Sequence, residues 1–170
     1  MYATISKILS SFLKQRTIFK YGFNVSPMYR RSTGKIIEVS DDLFNVKVKI
    51  PISYKNKNYV GSVFGGSLFS ATDPIFMIQL MNILGNDYVV WDKSANIKFK
   101  RPARETSYVD FVFTVNEIQQ IKERVKKEQE IDLQKEINIT NKEASVVYAE
   151  VSKTIYIANK SYYKNKRNKK

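Results

Sequence analysis

The sequence predicts an α+β domain, a curved antiparallel sheet wrapped around one long central helix. Three observations carry that expectation. Residues 67–84 are the most apolar stretch of the chain, opened by Gly65-Gly66 and closed by Gly85. The segments on either side alternate apolar and polar residues with the period of two expected of half-buried strands. Each such strand has one apolar face to cover, and a helix that is apolar almost all round must itself be covered.

The elements follow in order. Ile5, Ile8, Leu9, Phe12 and Leu13 fall on one helical face, with Lys7, Ser10, Ser11 and Lys14 opposite, so the chain is expected to open with an amphipathic helix. A connector through Pro27 then completes an extension over residues 1–34. Two strands are expected over 35–42 and 43–50. In the second, Phe44, Val46, Val48 and Ile50 alternate with Asn45, Lys47 and Lys49, and Pro51 ends it. Residues 52–63 read as a polar loop. In the central helix, Pro74 removes the hydrogen bond to the Ser70 carbonyl, which predicts a kink over residues 70–73.

Strand patterning returns at Tyr88. Ile97 and Phe99 alternate with Lys98 and Lys100 as far as Pro102, and Val109, Phe111, Phe113 and Val115 follow. Residues 117–127 are charged and read as a short helix or a long turn. Ile131, Leu133, Ile137 and Ile139 mark the next strand. Val147, Ala149, Val151, Ile155 and Ile157 mark the last, with Lys153 the exception on its apolar face. The domain is expected over residues 35–158, followed by a basic, disordered tail over 159–170.

Composition removes several kinds of chemistry. The 170 residues include no histidine and no cysteine. Ser-His and Cys-His dyads, disulfides and cysteine-based metal sites are therefore excluded, and neither a metal nor a cofactor is expected. Reaction near pH 7 would fall to carboxylates, hydroxyls, amides, lysines and backbone dipoles. The formal net charge is +13, yet it is terminal. Residues 1–37 carry seven basic residues and no acid, residues 160–170 carry six and no acid, and the rest balances. A nucleic-acid-binding core would hold its excess on the folded surface, so nucleic acid is not the expected partner. The basic ends read as solubilising, with peripheral contact to an anionic membrane as the sharper alternative. The start lacks the apolar core and cleavage site of a secretory signal, and a cytoplasmic location is expected.

The informative segment runs from Asn58 to Pro74. A glycine pair at a helix start admits close approach to the backbone, and free N–H groups there favour a negative oxygen. That is the making of an oxyanion site. Asp73 is a carboxylate in an otherwise apolar helix, so its charge calls for a reason. One reason is structural, satisfaction by the backbone groups that Pro74 frees; the other is catalysis.

This segment resembles the acyl-CoA thioesterases of the hotdog superfamily, in their PaaI-like branch. The family pattern is an asparagine, a His-Gly-Gly at the helix start, and an acid seven residues after the second glycine. Asn58, Gly65, Gly66 and Asp73 match it, and Phe64 replaces the histidine. The Phe-Gly-Gly-Ser form, with Val90-Trp91-Asp92-Lys93 and Phe99-Lys100-Arg101-Pro102-Ala103, is similar to an uncharacterised side branch and to the C-terminal domain of YiiD proteins. The resemblance implies a hotdog fold and a homodimer or a dimer of dimers, with each site shared between two chains. It implies Gly66 N–H as the group polarising a thioester carbonyl, Asp73 of the partner as base or nucleophile, and Asn58 as a holder of water or carbonyl. Gly65, Phe64 and Ser67 would line the substrate site. Lys98, Lys100, Arg101 and Arg104 form the one basic cluster in the neutral core; Lys98, Lys100 and Arg101 would meet the phosphates of coenzyme A, or are a solvated strand face. The implied function is hydrolysis of an acyl-CoA or related acyl thioester. The alternative is a non-catalytic acyl-CoA-binding sensor or carrier that kept the pocket without the histidine.

Overall fold

The computed structural model describes residues 14–168, so the amphipathic face read over Ile5–Leu13 lies outside the described residues. Six strands, β1 (Lys35–Val39), β2 (Asn45–Ile50), β3 (Tyr88–Phe99), β4 (Ser107–Val112), β5 (Glu130–Thr140) and β6 (Val147–Asn159), form one sheet. Its order is β1-β2-β4-β5-β6-β3, and every pairing is antiparallel. The central helix lies against its concave face as two pieces, α3 (Gly65–Thr72) and α4 (Ile75–Leu84). Two strands, helix, four strands is the expected order.

The helix breaks where proline demands it. Asp73 and Pro74 form a turn between α3 and α4, and the Pro74 carbonyl starts the new ladder by accepting from Ile78 N at 3.1 Å. Gly85, at φ +81°, closes α4 by donating to the Met81 carbonyl, a conformation that favours glycine. Leu68, Ala71, Ile75, Phe76 and Leu80 of the helix are buried in one hydrophobic core with Val48, Val109, Phe111, Val151 and Ile155 of the sheet. Gln79 is buried with them, and its amide donates to the carbonyls of Leu43 (2.9 Å) and Phe111 (3.4 Å), fastening the helix to the sheet.

The sheet is joined unevenly. β5 and β6 pair along nearly their whole length, whereas β4 meets β5 in register at Tyr108 and Thr140 alone. That opening is filled by Lys135 of β5. Its ammonium donates to the Val112 carbonyl (3.0 Å), pairs with Glu117 (2.7 Å) and lies 4.5 Å from the Phe113 ring centroid. Glu117 belongs to α5 (Val115–Glu128), so the charged segment read as helix or turn is a helix. Thr114 caps it by accepting from Glu117 N at 3.1 Å, and Ile118, Ile121 and Val125 bury its apolar face.

Both flanks differ from expectation. The connector through Pro27 is instead two helices, α1 (Gln15–Val25) and α2 (Pro27–Arg31), with Pro27 in the first turn, where its missing N–H costs nothing. They dock on the sheet and on α3. Asn24 exchanges two hydrogen bonds with the backbone of Ile36, and the buried Tyr29 hydroxyl donates to the Ala71 carbonyl at 3.0 Å. A Cβ on Gly34 would lie 2.9 Å from Ala71 Cβ and 3.0 Å from the Tyr29 hydroxyl, so only glycine lets the chain pass there. The tail expected to be disordered forms α6 (Lys160–Asn168). Asn159 caps it by accepting from the N–H groups of Ser161 and Tyr162, Lys166 pairs with Glu130 at 2.6 Å, and Tyr163 lies 6.2 Å from Tyr156.

Phe76 is the centre of this packing. It is fully buried and meets Phe111 edge-on at 4.9 Å and Phe113 at 5.4 Å. Phe76→Ala is expected to cost about 3–5 kcal/mol through lost burial and an unfilled cavity. A urea-unfolding midpoint within error of wild type would contradict this packing.

Candidate functional site

The glycine turn and the helix break are the two ends of α3. Phe64 precedes the helix in extended backbone, and its carbonyl accepts from Ser67 N (2.9 Å) and Leu68 N (3.2 Å). Among the described residues, no protein acceptor faces the N–H groups of Gly65 and Gly66. Gly66 is exposed and Ser67 is buried. Two aromatic rings lie directly over the glycines. A Cβ on Gly65 would lie 2.6 Å from Phe99 Cζ, and one on Gly66 would lie 2.3 Å from Phe64 Cε1. The close approach inferred for a ligand is thus made, in this chain, by two aromatic rings. Both rings are more than half exposed, so they cover the turn from the solvent side.

Asn58 sits in the loop before the turn and is engaged within it. Its Oδ1 accepts from Val60 N (3.1 Å) and Ser62 N (3.0 Å), and its Nδ2 donates to the Ser62 hydroxyl (2.9 Å). Gly61, at φ +81°, completes this turn by donating to the Asn58 carbonyl. In this chain Asn58 braces the loop that leads to the glycines.

Asp73 stands at the other end. Its side chain is 56% exposed, so the expected charge in an apolar interior is not there. The buried charge is Lys153, whose side chain has no exposure. Lys153 is the exception noted on the apolar face of β6, and its ammonium makes three contacts. It donates to the Asp73 backbone carbonyl at the helix break, to Asp73 Oδ1 at 3.3 Å and to Asp92 Oδ2 at 2.8 Å. Asp92 lies on β3, and its Oδ1 is buried without a hydrogen-bond partner. Burial raises the Asp92 pKa above the usual value of 3.8; the hydrogen bond and charge of Lys153 oppose the shift without cancelling it, and Asp73 adds to it. Two carboxylates thus share one lysine. Sequence reasoning missed Asp92, and it noted Lys153 without giving it a partner.

The basic cluster is divided. Lys100 pairs with Glu150 at 3.0 Å. Lys98, Arg101 and Arg104 are exposed, and among the described residues none of them forms an ion pair. β3 lies at the edge of the sheet, with Trp91 and Phe99 exposed. Among the described residues no cluster of acidic side chains is placed to hold a metal ion.

These features define the class. The sheet, the long helix and their connections are those of a hotdog-fold protein. A protein of unknown function from Pseudomonas aeruginosa, described as a probable thioesterase, superposes with a TM-score of 0.71 at 18% identity, over 85% of this chain and 93% of its own. Zebra fish thioesterase superfamily member 2 superposes at 0.55 with 15% identity, over 83% and 94%. A thioesterase from Haemophilus influenzae gives 0.52 at 12% identity, over 94% and 91%. Likeness at these identities shows the fold. The chain belongs to the family described as "Domain of unknown function (DUF4442)", whose model matches residues 15–157. No curated protein matches it at a significant level.

The raised pKa of Asp92 makes stability depend on pH in a definite direction. The folded state holds this proton more tightly than the unfolded state does. The favourable contribution is therefore present below 3.8 and is lost as pH rises through the raised value. The stability of Asp92→Asn relative to wild type is expected to improve as pH rises through that window and then level off. Denaturant midpoints of the two proteins at matched pH check this; a difference that moves the opposite way would mean that Lys153 outweighs burial.

Proposed function

We propose that this protein hydrolyses an acyl-CoA or a related acyl thioester, at a site made by two copies of the chain. The observation that carries the reading is the pair of groups at the two ends of α3, unpartnered N–H groups at Gly65 and Gly66 and a half-exposed carboxylate at Asp73. Asp73 lies seven positions beyond Gly66 along the helix, a rise of about 10 Å. One carbonyl cannot touch both within a chain, but two chains side by side can bring one glycine turn to the other's Asp73. The exposed edge strand β3 is the surface such a pair would use. The assignment to the PaaI-like branch rests on the spacing of Asn58, Gly65-Gly66 and Asp73.

In this mechanism the thioester carbonyl oxygen is held at Gly66 N–H, where the helix dipole favours the charge that develops on it. Asp73 of the second copy takes a proton from water, and the hydroxide adds to the carbonyl carbon. Collapse breaks the carbon–sulfur bond, the proton passes from Asp73 to the thiolate, and an acid and a free thiol leave. Direct attack by Asp73, with water cleaving the resulting anhydride, balances equally. Phe64 offers no hydrogen bond, so its contribution is to line the acyl site with Phe99. In this reading the exposed Lys98 and Arg101 would meet the phosphates of coenzyme A, while Lys100 is already paired with Glu150.

A second reading is favoured by Phe64 itself. With an aromatic ring where the resembling enzymes carry histidine, the same pocket would serve a non-catalytic acyl-CoA sensor or carrier. A panel of acyl-CoAs separates the two. Under the enzyme reading, Asp73→Asn folds normally and still binds ligand, and turnover falls about a hundredfold or more, the scale of losing a positioned base. Measurable binding with no hydrolysis of any acyl-CoA by the wild type would reject the enzyme and leave the sensor.

A further inference from the structure

We infer that Lys153, backed by Asp92, is the positioning residue that sets the Asp73 carboxylate in place. The inference rests on the reading of Asp73 as the working carboxylate, and it adds two residues to that site.

A lysine on the apolar face of a strand is costly, because its charge leaves water. Its neighbours on that face of β6 are Val151, Ile155 and Ile157, all buried. A buried ionic network can commonly be replaced by apolar residues without loss of stability, so stability alone gives no reason for lysine here. The geometry gives one. An ammonium has three N–H groups, and Lys153 has three acceptors: the Asp73 carbonyl, Asp73 Oδ1 and Asp92 Oδ2. Two belong to the same residue. Binding a residue by its backbone oxygen and its carboxylate together restrains both the main chain and the side-chain torsions.

The break at Pro74 makes that restraint necessary. Proline cannot hydrogen-bond back into α3, and Asp73 stands in the turn between the two helical pieces. Without Lys153 the Asp73 carbonyl would face an apolar interior unpaired, and the carboxylate would be free to rotate on an exposed turn. With it, one carboxylate oxygen is tied down and the side chain keeps its outward exposure. Asp92 completes the arrangement from the far side. It balances the ammonium, and its second oxygen is buried and unpartnered, so Lys153 is its polar anchor.

The test uses the full chain with three variants, Asp92→Asn, Lys153→Met and Lys153→Arg. Asp92→Asn keeps the shape of the side chain and serves if Lys153→Met fails to fold. With an acyl-CoA that the wild type hydrolyses, kcat of Lys153→Met should fall about ten- to a hundredfold, the cost of a misplaced reacting group. KM should stay within about twofold of wild type, because the glycine turn and acyl site are untouched. Asp92→Asn should show the same split in smaller measure, and Lys153→Arg should recover part of kcat. A folded Lys153→Met or Asp92→Asn with wild-type kcat would overturn the inference while leaving hydrolysis itself established. If the wild type hydrolyses nothing, side-chain order at Asp73, read from carbon-13 relaxation of its Cβ, decides. Order that drops on loss of Lys153, or of Asp92 where that variant alone folds, supports the positioning role; order that is unchanged overturns it.

Discussion

The structure turns on one buried charge. Lys153 sits where the pattern of β6 calls for an apolar residue, and its ammonium brings side chains or backbone of three elements to one point. It links strand β6, the edge strand β3 through Asp92, and the helix break through Asp73. The cost of burying an ammonium is offset only while all three acceptors are in place. The proline break, the lysine and the two aspartates therefore form one unit. Pro74 deprives the Ser70 carbonyl of its helix partner, and in the turn that follows the Asp73 carbonyl accepts from Lys153. Removing the lysine would leave the break unsatisfied.

The same break has a consequence at the other end of α3. A helix of eight residues with glycines at its start and a turn at its end presents two different chemistries, backbone N–H groups and a carboxylate. Their separation exceeds the reach of one reacting carbonyl, which is why the proposed function calls for two chains. The rings of Phe99 and Phe64 lie over the glycines, in the space that side chains there would enter, and both are exposed rings that can turn aside. Packing and a role toward substrate are compatible. Rings that lie on the backbone at an exposed turn also wall off one side of it, and an acyl chain would find apolar surface there.

Much of this was legible in the sequence. Alternation in Phe44–Ile50 and in Val147–Ile157, and the unbroken apolarity of 67–84, are direct consequences of which side chains face the core, so the order of strands and helix followed from them. Pro74 gave the break because proline acts locally. Lys153 stood out as the exception on its face. The rest depended on contacts distant in sequence. Asp92 lies in Val90-Trp91-Asp92-Lys93, where no alternation marks it, and its partner is 61 residues away. The terminal helix read as a tail because its sequence is polar and acid-free, while the acid that fixes it, Glu130, is 36 residues back. Pro27 suggested a connector, although proline also begins helices. Asn58 matched a family position by spacing, and spacing could not show that its amide is engaged by Val60 and Ser62.

The central claim is that Lys153 binds Asp73 and Asp92 at once, and its ammonium can be observed directly. In a nitrogen-15- and carbon-13-labelled sample, three saturated hydrogen bonds in a buried site should slow exchange of the Lys153 Nζ protons, unlike those of exposed lysines. Couplings should connect Nζ to the side-chain carboxyl carbons of both aspartates. Nζ protons that exchange as fast as those of a surface lysine, or a coupling to Asp92 without one to Asp73, would contradict the account.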